Sequence, residues 1–132
     1  ASTVWSLLTD MPGWAAWNDV FTVPPFDGAL AVGTQFKIKS YMRTAPLLLR
    51  RTTITMELSV LQADSKVCWM PQHLPGLQGQ HCYLLCPVNH GTLVYNYEDH
   101  RGIFQPITRW MMGRATTDAF GSFNRALAAR AA

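Results

Sequence analysis

The sequence predicts an α+β domain: a curved antiparallel meander with one long C-terminal helix laid across its concave face. Three observations predict it. Stretches with an apolar residue at every second position recur from residue 34 to 101. Tight-turn residues separate them: Asp27-Gly28, Ala63-Asp64-Ser65 and Asn89-His90-Gly91. The last stretch repeats at three or four, through Met112, Ala115, Ala119, Phe123 and Leu127. With 132 residues there is room for one domain, 1–132, and no interior linker suggests a second.

The elements follow in order. Ser2 or Thr3 can cap a helix through Val4, Trp5, Leu7 and Leu8, which Asp10-Met11-Pro12-Gly13 ends. Trp14 to Phe21 reads as a second short helical or turn segment. Val20 to Pro25 starts a strand that Pro24-Pro25 confines to an edge. Thr34 to Ser40 alternates, with Phe36 and Ile38 in and Lys37 and Lys39 out. Thr52 to Val60 places Ile54, Met56, Leu58 and Val60 on one face. Lys66 to Met70 returns, Pro75-Gly76 breaks the chain, and Gln80 to Pro87 sets His81, Tyr83 and Leu85 against Cys82, Leu84 and Cys86. Ile107 to Ala129 is the long helix, about 34 Å at 1.5 Å per residue. Gly113 and Gly121 weaken it and should mark close approach to the sheet or to a ligand.

Composition narrows the function. Hydrophobic residues make up 48% and charged residues only 14%, so either the surface is unusually apolar or the interior holds a lined cavity. The net charge of +3 comes from eight Arg and three Lys with no long basic run, which speaks against nucleic acid. The cysteines number three, Cys68, Cys82 and Cys86, and lack Cys-x-x-Cys or Cys–His spacing. The expectation is therefore three free thiols in a reducing cytoplasm, with no metal site. No signal peptide or apolar run long enough to cross a membrane is expected.

One strand breaks the pattern. "LVYNYEDHRG" carries Val94, Asn96, Glu98 and His100 on one side and Leu93, Tyr95, Tyr97 and Asp99 on the other, and neither side is a plain apolar stripe. Glu98 with His100 could be a base and its orienting partner, or Glu98 could be a structural carboxylate bonded to the backbone or to an arginine such as Arg114. His81, Glu98 and His100 only loosely imitate a two-His, one-carboxylate metal set. His73 and His90 lie in predicted turns and read as exposed. Trp69, Trp110 and Phe120 either line a cavity or fill a core. Met42, Met56, Met111 and Met112 suit an adaptable apolar lining.

Five segments, collinear over nearly the whole chain, resemble the START-like, Bet v 1-like SRPBCC superfamily: "VWSLLTDMPGWAAWNDVF", "GALAVGTQFKI", "LPGLQGQHCYLLCP", "GTLVYNYEDHRGIFQP" and "FGSFNRALAAR". The resemblance implies the helix-grip fold, a seven-stranded antiparallel sheet around a long C-terminal helix with a hydrophobic cavity between them. It implies that Val94, Asn96, Glu98 and His100 point into that cavity, with His81, Tyr83 and Leu85 beside them. Many members are polyketide cyclase/dehydrase-like or lipid-transport proteins.

The expected ligand-binding residues are then Phe36, Ile38, Trp69, His81, Tyr83, Asn96, Glu98, His100 and Trp110. The catalytic candidates are Glu98, His100 and His81. No cofactor is expected. The function expected is binding of a polyketide-, isoprenoid- or lipid-like molecule, with or without cyclase or dehydratase activity. The alternatives are a non-catalytic lipid or quinone carrier or sensor, and a protein-interaction module with a filled cavity. Relatives begin with a strand before the "VW" helix that this chain lacks. A sheet edge should therefore be covered, by a homodimer partner or by a preceding segment.

Overall fold

The computed structural model describes residues 1–72 and 78–132, apart from the side chains of Gln78, His100, Gln105 and Thr108. Pro75-Gly76 and His73 lie outside the described residues. Helix α1 (Ser2–Thr9) leads into a 3-10 turn (Met11–Ala16). Six strands follow, β1 (Phe21–Thr22), β2 (Gln35–Tyr41), β3 (Arg51–Gln62), β4 (Lys66–Pro71), β5 (Gln78–Val88) and β6 (Gly91–Arg101), and helix α2 (Gln105–Ala131) closes the chain. The strands form one antiparallel sheet in sequence order, with β1 and β6 as its edges. The architecture is helix-grip, as the sequence predicts.

Local chemistry explains the entry. Ala1, not Ser2 or Thr3, occupies the cap of α1, and no side chain bonds there. The helix is held instead by packing, with Leu8 buried and Val4, Trp5 and Leu7 against the core. The Trp14 indole Nε1 donates to the carbonyls of Leu7 and Leu8 at 3.2 Å, satisfying groups that the helix end leaves open. Asn18 donates to the Trp14 carbonyl at 2.9 Å and accepts from the Val20 and Phe21 amides at 3.0 and 2.9 Å. This side chain turns the backbone into β1.

The sheet alternates as a half-buried sheet should. Phe36 and Ile38 are buried while Lys37 and Lys39 are exposed. Strand β3 departs from the expected pattern. A register shift between Leu58 and Val60 pairs Leu58 with Trp69 and Val60 with Cys68. That bulge moves Val60 off the concave face, and Leu61 packs on the core instead. The hairpin turns use positive φ at Asp64 and His90, and Gly102 at φ 121° lets the chain swing from β6 into α2.

The cysteines depart from expectation. Cys68 and Cys82 are direct cross-strand partners with Cα atoms 4.2 Å apart, and they form a disulfide. Linear spacing hid this pair, because the register of β4 on β5 creates it. Cys86 is the free thiol.

Ala115, Ala119, Phe123 and Leu127 of α2 are buried against the sheet. Phe123 lies at the centre, with ring centroids 5.0 Å from Trp14 and Trp17, 5.7 Å from Phe21 and 5.9 Å from Tyr83. Gly121 marks no close approach, since a Cβ there would meet only the Arg125 side chain at 3.3 Å.

Two outcomes are expected. Phe123→Ala should destabilise the fold by about 3–5 kcal/mol in urea denaturation, the cost of an emptied aromatic site. Thiol titration of the unfolded, unreduced chain should count one thiol, rising to three after reduction. Reduction should lower stability by about 3 kcal/mol for a loop this short.

Candidate functional site

Between the sheet and α2 residues 109–123 lies a cavity of about 490 Å³. Strands β2 to β6 supply one wall and α2 the other. Ile38, Met42, Ile54, Met56, Trp69 and Met112 make it apolar, and Phe120 and Phe123 close its inner end. This size and character suit a small hydrophobic molecule.

The polar groups gather on β5 and β6. The register sets His81 opposite Glu98 and Tyr83 opposite Asn96. All four line the cavity. From 93 to 99 on β6, Leu93, Tyr95, Tyr97 and Asp99 are exposed, while Val94, Asn96 and Glu98 are half-buried on the concave side.

His81 is only 5% exposed. Its ring stacks on Phe120 at 4.3 Å and lies 5.3 Å from Trp69 and 5.2 Å from Tyr83. Nδ1 stands 3.9 Å from a Glu98 carboxylate oxygen, too far for a hydrogen bond. Neither ring nitrogen has a hydrogen-bond partner among the described residues, and neither does Asn96 Oδ1. A buried polar atom left without a partner costs about 1–3 kcal/mol. Three such atoms on residues lining one cavity are groups suited to a ligand.

Behind them runs a bonded chain. Asn96 Nδ2 donates to the Tyr83 hydroxyl oxygen at 2.8 Å and to Asn124 Oδ1 of α2 at 2.9 Å. Burial pushes the Tyr83 phenol well above its ordinary pKa, the Asn96 donor partly offsets this, and the Glu98 charge adds to the rise. Tyr83 therefore remains a neutral O–H donor.

The structure thus brings together Ile38, Trp69, His81, Tyr83, Asn96 and Glu98. It does not bring in two expected residues. Phe36 is buried in the core against Phe26 and Trp69, beneath the cavity wall. Trp110 is 85% exposed, because the stripe that buries Ala115 and Ala119 turns it away from the sheet. Met111 is likewise exposed. His100 pairs through its backbone with Gly79, but its side chain lies outside the described residues. Among the described residues no three His, Cys, Asp or Glu side chains gather as a metal site.

Sequence reasoning missed Asn124, Arg109, Thr116 and Thr117. Arg109, not Arg114, lines the cavity. Asn124 carried a legible signal, as a poor helix former between Phe123 and Leu127 on the buried side.

The fold has known counterparts. The crystal structure of TTHA0849 from Thermus thermophilus superposes with a TM-score of 0.67 at 14% identity, covering 98% of this chain and 88% of that one. DR_A0006 from Deinococcus radiodurans gives a TM-score of 0.55 at 14% identity, covering 88% of each chain. Identity this low establishes the shared fold alone. No protein-family model and no curated protein matches the chain.

The Tyr83 environment has a pH consequence. The unfolded phenol releases its proton near pH 10.0, whereas the folded one holds it to higher pH. The folded-state pKa is raised, so this contribution is whole below pH 10.0 and is lost as pH climbs toward the folded value. Urea denaturation below and above pH 10.0 should show stability falling, with a smaller fall in Tyr83→Phe.

Proposed function

We propose that the chain binds a hydrophobic small molecule of polyketide, isoprenoid or lipid type in this cavity, with an oxygen of the ligand set against His81. One observation carries the reading: His81 is buried among aromatic rings, lining an apolar cavity, with both nitrogens unpartnered among the described residues. A ligand carbonyl there would accept from the Tyr83 hydroxyl or an imidazole N–H, and a ligand hydroxyl could in addition donate to Asn96 Oδ1. The resemblance of five sequence segments to the START-like SRPBCC superfamily supports the same reading, and the helix-grip fold is compatible with it.

A second reading, acid–base chemistry of the cyclase or dehydratase kind, draws on the His81–Glu98 pair at 3.9 Å. An imidazole beside a carboxylate can take a proton from a carbon next to a carbonyl and return it to a leaving hydroxyl. A carrier would use the same groups for orientation only.

Native mass spectrometry should detect a co-purified small molecule. With that molecule, His81→Phe should weaken binding about tenfold, the loss of one or two buried hydrogen bonds, while keeping the ring stack. Glu98→Gln should keep binding. If it abolishes turnover the protein is an enzyme, and if the wild type has no turnover it is a carrier. A protein that retains no small molecule and does not bind an apolar fluorescent dye would be an interaction module instead.

A further inference from the structure

The mouth of the cavity carries a second feature that its interior does not use. Ile107, Trp110 and Met111 are exposed on one face of the first turns of α2, and Ile103 is exposed in the turn that precedes it. Ile103 is 78% exposed and Trp110 85%. Soluble surfaces hide such side chains unless something covers them. Across the mouth, the β2–β3 connection presents Leu47 and Leu48, the latter 92% exposed. Met42 and Thr52, at the two ends of that connection, line the cavity, as do Arg109 and Met112 of α2. Thr44 bonds Asp118 of α2 at 3.1 Å, tying the connection to the helix.

Charge is segregated on the same two segments. Residues 41–51 hold Arg43, Arg50 and Arg51, and residues 101–114 hold Arg101, Arg109 and Arg114. These are six of the eight arginines, and neither segment has an Asp or Glu. At the rim, Asp99 pairs with Arg101 at 3.4 Å in the open. An exposed Trp and aliphatic face beside an excess of arginines over carboxylates is the make-up of an interfacial surface. Arginine reaches anionic headgroups while its neighbours enter the acyl boundary.

We propose that this rim docks peripherally on an anionic lipid bilayer, with Trp110 and Leu48 inserted at the headgroup level and the cavity mouth facing the membrane. The charge pattern selects the occupant. A second copy seated on this face would set the exposed arginines of the two segments, Arg43, Arg109 and Arg114 among them, against their own counterparts. A negatively charged bilayer complements them. Docking does not depend on what the cavity holds, so its failure and the failure of the cavity reading are separate results.

The test is sedimentation of the intact, oxidised protein with vesicles of mixed phosphatidylglycerol and phosphatidylcholine, and with phosphatidylcholine alone. Binding is expected to the anionic vesicles, weakening as salt is added. Tryptophan emission should shift to the blue, because Trp110 is the exposed tryptophan. Trp110→Ser should lower partitioning about tenfold and abolish most of the shift. Arg114→Glu should lower partitioning about tenfold on anionic vesicles only. Both substitutions lie on the exposed face, and an unchanged circular dichroism spectrum certifies the fold. Absence of sedimentation with either vesicle overturns the proposal, as does binding that Trp110→Ser leaves unchanged. A concentration-dependent dimer that buries Trp110 without lipid overturns it in favour of self-association.

Discussion

Phe123 is where the long helix, the sheet and the N-terminal segment meet. Its ring touches Trp14 and Trp17 from the first segment, Phe21 from β1 and Tyr83 from β5. A ring in edge or tilted contact with four others contributes both buried area and favourable ring electrostatics. Toward the C-terminus Leu127 continues the contact. Toward the N-terminus the buried stripe shrinks to Ala119 and Ala115, and Met112 beyond them lines the cavity instead of filling it. The helix is anchored at one half and stands off at the other. A cavity follows from that difference in side-chain size.

The same anchor dictates the character of the cavity. Its inner end is walled by rings that exclude water, and the polar groups on β5 and β6 are held among them. Tyr83, Asn96 and Asn124 form a bonded chain from sheet to helix, which satisfies both Asn96 amide donors without solvent and leaves Asn96 Oδ1 open among the described residues. His81 is left with its nitrogens toward the space. An imidazole in this setting is rigid, since stacking on Phe120 fixes its plane. Rigidity and an unsatisfied polar edge are what orient a ligand in apolar surroundings.

Outside the anchor the chain behaves differently. The unanchored turns of α2 present apolar and basic side chains to the surface, while the convex side of the sheet carries the Cys68–Cys82 disulfide and the tyrosines of β6. The bulge in β3 bends the sheet toward the helix and at the same time moves Val60 to the convex side beside Cys68. Curvature, cavity and the outer face are thus consequences of one packing arrangement.

Local pattern alone was enough to read the element order, the hairpins and the buried stripe of α2, because period and turn chemistry act over a few residues. It was also enough to mark "LVYNYEDHRG" as a strand with polar groups on one face. Register decided the rest. Whether Glu98 faces His81, and whether Cys68 meets Cys82, depends on which residues lie opposite each other across strands, and a shift of one would reverse the face. Trp110 and Phe36 show the same limit. Both are large and apolar, yet one is driven to the surface by the rotation of the helix and the other sits beneath the cavity wall. Asn124 joined the site only when α2 crossed β6. Sequence by itself determined which segments are strands and helices and which positions are polar. The tertiary structure decided which of those polar groups converge, because convergence is set by contacts between residues far apart in the chain.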